Sequence, residues 1–122
     1  MAEPDADLWV RRGQLGPAER PLAETMESGH PEAAPKAAFN LGGLLAGQHR
    51  YDEAVVALRR AVDSGHPDES PGALTQLGAV LFTLGRVDEA EAAFGRVVAS
   101  GHPECAATAV ACLADLRRQT GR

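Results

Sequence analysis

Apolar positions recur along this chain with the 3.6-residue period of a helix, and no segment shows the period of two that marks a half-buried strand. Ala34, Ala37, Ala38, Leu41, Leu44 and Leu45 form one stripe, which predicts a helix from Ala34 to Gln48. His49–Arg50 makes the next turn, and Asp52 is placed to cap a helix whose apolar face is Ala54, Val55, Leu58, Ala61 and Val62. Leu74, Leu77, Leu81 and Leu84 define another helix, with Ser70 as cap, Pro71 at the first helical position and Gly85 as its stop. Val87, Ala90, Ala93, Phe94, Val97 and Val98 supply the buried face of the following one, where Asp88 and Glu91 have capping-box spacing. Ala106, Ala109, Val110, Leu113 and Leu116 lie on a last helix, Glu104 to Gln119. Upstream, Pro17 opens a helix that runs to Glu27 with Leu22 and Met26 as apolar positions. Leu8, Trp9 and Val10 predict a shortened helix within 4–12. Pro31 and Pro35 are both unable to donate a backbone N–H, so 31–34 reads as an irregular turn.

These helices are organised by a tetrapeptide that occurs three times: Ser28-Gly29-His30-Pro31, Ser64-Gly65-His66-Pro67 and Ser100-Gly101-His102-Pro103, each copy 36 residues after the last. With that step, Leu41-Gly42 falls on Leu77-Gly78, Leu45 on Leu81, and Arg50, Asp52, Glu53 and Ala54 on Arg86, Asp88, Glu89 and Ala90. A fixed period of this length marks a stacked-repeat array. The chain therefore divides, as one domain over 1–122, into a partial repeat 4–30, full repeats 31–66 and 67–102, and a terminal helix 103–119. Gly29, Gly65 and Gly101 are the left-handed residues that end each second helix. Gly42, Gly78 and Ala114 are small enough for a first helix to approach its partner closely, with Ala54 and Ala90 as the small residues facing them. One pair cannot bury its stripe alone, so neighbouring pairs must stack, and the polar ending Arg117-Arg118-Gln119 suits a helix with nothing stacked on it. The fold class is all-α, an α-α superhelix of antiparallel helix pairs whose concave face is lined mainly by the first helix of each pair.

Composition agrees. Alanine supplies 23 of 122 residues and aromatics 4%, which favours closely packed helices over a sheet. The net charge of −5 argues against a phosphate-gripping surface, so no nucleic acid is expected as partner. The apolar runs are far short of a membrane span, and the acidic opening lacks a secretion signal, so a cytoplasmic location is expected. Cys105 and Cys112 would lie about 10.5 Å apart along one helix at 1.5 Å per residue, too far for a bridge. They read as inert thiols.

Candidate chemistry is sparse. His30, His66 and His102 repeat, but equivalent residues in stacked repeats are about 8–10 Å apart and cannot share one ion. They read as turn residues. Asp52-Glu53 and Asp88-Glu89 stand at helix starts and read as capping and dipole residues. No Cys-x-x-Cys, His-Glu-x-x-His or Gly-x-Ser-x-Gly is present, so the expectation is no enzyme, no cofactor and no metal.

Ala38/Leu74, Leu41-Gly42/Leu77-Gly78, Leu45/Leu81, Ala54/Ala90, Leu58/Phe94, Ala61/Val97 and Pro67/Pro103 resemble the signature of the tetratricopeptide repeat. The period is 36 rather than 34, and the bulky Trp of the signature is missing from both full repeats. The period and the closing Ser-Gly-His are also similar to Sel1-type repeats. The resemblance implies a protein-interaction module or scaffold that holds a peptide or helix in its concave groove. The alternative is a self-assembling element that forms a homo-oligomer through the ends of the array. By the family's pattern the groove would be lined by Lys36, Phe39, Asn40, Gly43 and Gly47, then Thr75, Gln76, Ala79, Phe82 and Thr83, then Cys112, Asp115 and Gln119. Phe39 and Phe82 are the expected anchors, or core residues if the register is one residue off. Of the carboxylate-clamp residues of chaperone-binding members, only Lys36 and Asn40 have a match.

Overall fold

The structure, a computed structural model, describes residues 15–67 and 69–121. Among them the chain forms six α-helices and no strand: α1 Glu19–Glu27, α2 Ala33–Gly47, α3 Tyr51–Asp63, α4 Glu69–Thr83, α5 Val87–Ala99 and α6 Pro103–Thr120. The helix expected within 4–12 lies outside the described residues. Each helix packs on the next, and the first helices α2, α4 and α6 also touch one another in succession. The second helices α1, α3 and α5 make less direct contact and are bridged by long side chains. Arg60 on α3 reaches Glu27 on α1 at 2.8 Å, and Arg59 on α3 reaches Glu89 on α5 at 3.2 Å. Helix pairs stacked in this way form an α-α superhelix.

The repeated tetrapeptide links each second helix to the next first helix through three cooperating groups. The hydroxyls of Ser28, Ser64 and Ser100 donate to the carbonyls of Thr25, Ala61 and Val97, each at 2.6 Å. The same oxygens accept the N–H of His30, His66 and His102 at 3.2, 3.2 and 3.3 Å. Gly29, Gly65 and Gly101 turn the chain at φ of +75°, +70° and +77°, which a β-carbon would strain. Each imidazole then serves the next helix: Nδ1 of His30 accepts from Ala33 N–H at 3.0 Å, His66 from Glu69 at 3.4 Å and His102 from Cys105 at 3.3 Å. The first N–H groups of a helix have no partner within it, and the histidines provide one.

Inside the pairs, close approach falls at the two glycines. A methyl at Gly42 would lie 2.5 Å from the Leu58 side chain, and one at Gly78 would lie 2.7 Å from the Phe94 ring. Leu58 and Phe94 are among the most deeply buried side chains, with Leu41, Leu45, Val97 and Leu116.

Several local expectations are corrected. Asp52 and Asp88 are not caps: Arg50 and Arg86 hold the cap positions without a side-chain cap bond, and both aspartates sit in the first turn. Arg50 and Arg86 instead pair with Glu53 and Glu89 three residues on, at 2.5 Å each. The aspartates keep their favourable place at the positive helix end. Ser70 lies inside α4, not at its cap, and its hydroxyl donates to Val62 O at 3.2 Å, tying α4 to α3. Pro71 is accordingly the third residue of α4, where a missing N–H still costs no intrahelical bond. The same logic lets α2 begin at Ala33 with Pro35 inside it. Pro17 precedes α1 in a turn. Val98 was expected in a buried face but is 38% exposed, and Val110, one of the apolar positions of the last helix, is 55% exposed. Ala114 is exposed as well, because no described helix covers that side of α6.

Candidate protein-binding face

The candidate residues stand on α2, α4 and α6, the row of first helices. Lys36, Asn40 and Gly47 on α2, Gln76, Ala79 and Thr83 on α4, and Asp115 and Gln119 on α6 are exposed. Gly43, Thr75 and Cys112 are half-buried. The structure brings some of these together across helices. Gly43 lies beside the Gln76 amide: a methyl on Gly43 would be 3.5 Å from Gln76 Oε1. Phe39 leans on the next first helix, where a methyl at Gly72 would sit 3.2 Å from its Cζ. Phe39 and Phe82 are both partly buried against the core. Phe39 thus reaches from α2 to α4 and is only partly buried.

Some polar groups on this row are already engaged. Thr75 Oγ1 donates to Pro71 O at 2.9 Å and Thr83 Oγ1 to Ala79 O at 3.0 Å, so neither hydroxyl proton is free for a ligand. Asp115 accepts from Arg118 at 2.5 Å and from Gln119 at 3.3 Å. Cys112 stands beside Asp115, and burial first, then that carboxylate, pushes its thiol above the usual cysteine range. It is therefore protonated at neutral pH and a poor nucleophile. Cys105 and Cys112 are both free.

Thr108 and Ala111 also belong to this row and are exposed. They occupy the repeat positions of Lys36 and Phe39, and carrying the 36-residue step one helix further would have found them. Among the described residues no group of three or more His, Cys, Asp or Glu side chains could hold a metal ion, and no helix is long and apolar enough to cross a membrane.

Stacked helix pairs, a 36-residue step and glycines at the pair contacts define a helical-repeat solenoid. The sequence model of the tetratricopeptide repeat matches residues 45–111, more than half of the chain. The chain belongs to the tetratricopeptide repeat family, whose repeats generally mediate protein–protein contacts and are not catalytic. Comparison with curated proteins and with solved structures gave no match.

Proposed function

We propose that the chain is a non-enzymatic scaffold that holds a peptide or helix of another protein along the row of α2, α4 and α6. One observation carries the reading. The first helices contact each other directly, so their solvent-facing side chains form a continuous strip across three helices, while the other sides of α2 and α4 are taken up by packing. Lys36, Asn40, Gln76 and Ala79 supply the open positions, with Asp115 at the far end. The partly exposed rings of Phe39 and Phe82 supply apolar contact area with little rotamer freedom to lose. The free thiols of Cys105 and Cys112 suit a reducing compartment, and we read the setting as cytoplasmic.

The test is partner affinity measured beside thermal melting. Asn40→Ala with Gln76→Ala, and separately Phe82→Ser, should weaken binding by roughly 1–3 kcal/mol with the melting temperature nearly unchanged. Phe39→Ser should lower both, since its ring also rests on Gly72. If all of these variants bind like the parent, the first-helix row is not the binding face. A second reading has its own observation: Val110, at the repeat position of the buried Leu74, is 55% exposed. Self-association through the open face of α6 would appear as concentration-dependent sedimentation that Val110→Ser abolishes.

A further inference from the structure

Among the three first helices, α6 alone carries opposite charges at its two ends. α2 has no acidic residue in its first turn and no basic one in its last, and α4 has only Glu69. α6 has Glu104 in its first turn and Arg117 and Arg118 in its last. It is also the first helix whose outer side is open. Ala107, Val110, Ala111 and Ala114 are exposed there, Val110 by 55%.

At 3.6 residues per turn these four side chains fall within about 100° of arc, one strip along the helix. Glu104 and Arg118 lie along the same edge of that strip, about 21 Å apart at 1.5 Å per residue. Arg117 lies on the other edge, 3.9 Å from Glu91 of α5. The Arg118 side chain is 75% exposed. One of its terminal nitrogens is on Asp115 at 2.5 Å, which leaves the rest of the fork for a second carboxylate.

Such a strip is complementary to itself once it is reversed. A two-fold axis at right angles to α6, passing between residues 110 and 111, sets Val110 against Val110 of a second copy and Ala111 against its Ala111. The same axis sets Ala107 against Ala114, and Glu104 against Arg118, so one register meets every contact. Alanines at this contact let two helices approach closely, and the reversed direction brings the negative end of each helix beside the positive end of the other. We propose that two copies of the chain pair through α6 in this antiparallel, two-fold register. The pairing rests on the reading of α6 as a self-association surface and specifies which residues of the two copies meet.

The experiment is sedimentation of the full chain over a range of concentrations at low salt, with circular dichroism as the check on folding. The parent should show a monomer–dimer equilibrium that weakens as salt rises. Glu104→Arg and Arg118→Glu each turn two attractions into two repulsions, and each should weaken dimerisation about tenfold with the helical signal unchanged. An equimolar mixture of the two variants should dimerise like the parent, because opposite charges then meet at both ends, and so should the double variant. In a parallel pair Glu104 would face Glu104, and its reversal would only exchange one like-charge contact for another. Dimerisation that neither reversal weakens, or a mixture no stronger than its components, overturns the register; if Val110→Ser still abolishes it, α6 remains the self-association surface. A parent that stays monomeric up to its solubility limit overturns both. So does a monomer in which Val110→Ser shifts the emission of Trp9, the one tryptophan of the chain, since the face then belongs to the chain's own first residues.

Discussion

α4 and α6 hold the same place in successive helix pairs, yet they end in different surroundings. On the side that meets the preceding repeat they agree. Ala73 and Val80 on α4 are buried, and their counterparts Ala109 and Leu116 on α6 are fully buried. On the side that meets the following helix they part. Leu74, Leu77 and Gly78 are buried beneath α5, while Val110 and Ala114 are exposed and Leu113 is half-buried. The sequence at these positions is similar in kind, so the difference lies in the neighbour. In a solenoid a repeat position records which contact a residue is suited to make, and burial follows only where the adjoining helix is present.

The largest effect that sharpens this contrast is truncation of core leucines. Leu77→Ala and Leu116→Ala should each cost about 2–5 kcal/mol in denaturant unfolding, the usual range for a buried leucine. Leu113→Ala, the counterpart of Leu77, should cost clearly less. Equal losses at 77 and 113 would break the comparison.

Overpacking gives a second, smaller pair. Gly78→Leu forces a side chain into the Phe94 ring and should destabilise by about 1–3 kcal/mol. Ala114→Leu sits at the same repeat position in open solvent and should stay within about 0.5 kcal/mol of the parent. If Gly78→Leu stabilises the protein, position 78 faces solvent rather than the Phe94 ring.

The smallest effect is a pH dependence at the start of the array. Gln48 donates to Glu19 at 2.7 Å, and this bond, helped by backbone N–H groups and Arg50, holds the carboxyl below its usual range. A carboxyl depressed in the folded state stabilises above its unfolded pKa of about 4.3, and that contribution fades as pH falls through the lower folded value. Gln48→Ala should flatten part of the acid-side fall in the urea midpoint while leaving the neutral side less changed. An identical acid profile in both proteins would contradict the assignment.

Much of the fold was legible because its determinants are local and repeated. The 3.6 period gave the helices, and the 36-residue step gave their succession. Gly29, Gly65 and Gly101 gave the left-handed ends. Cap identities were not legible at that level: Asp52 and Asp88 are good capping residues by type, but an Arg–Glu pair across the first turn sets the start one to two residues earlier. The role of the histidines was only half visible, since a turn residue can be recognised from spacing while an Nδ1 bond to a backbone N–H requires the ring's orientation. The candidate face was legible as a set of positions on first helices. The lean of Phe39 onto Gly72 was not, because it depends on how far apart two stacked helices lie. Val98 was misplaced, and Val110 lies open, for a related reason: periodicity marks a residue as suited to a neighbour, not as having one.

The central claim is that position in the stack, rather than the helix's own sequence, decides which faces are locked by packing. Residue-by-residue amide hydrogen exchange tests it most directly, because it reads the opening free energy of each helix separately. The slowest amides of α4, enclosed by α2, α3, α5 and α6, should exchange only through global unfolding, and those of α6 should exchange faster by local opening. Protection in α6 equal to that in α4 would contradict it.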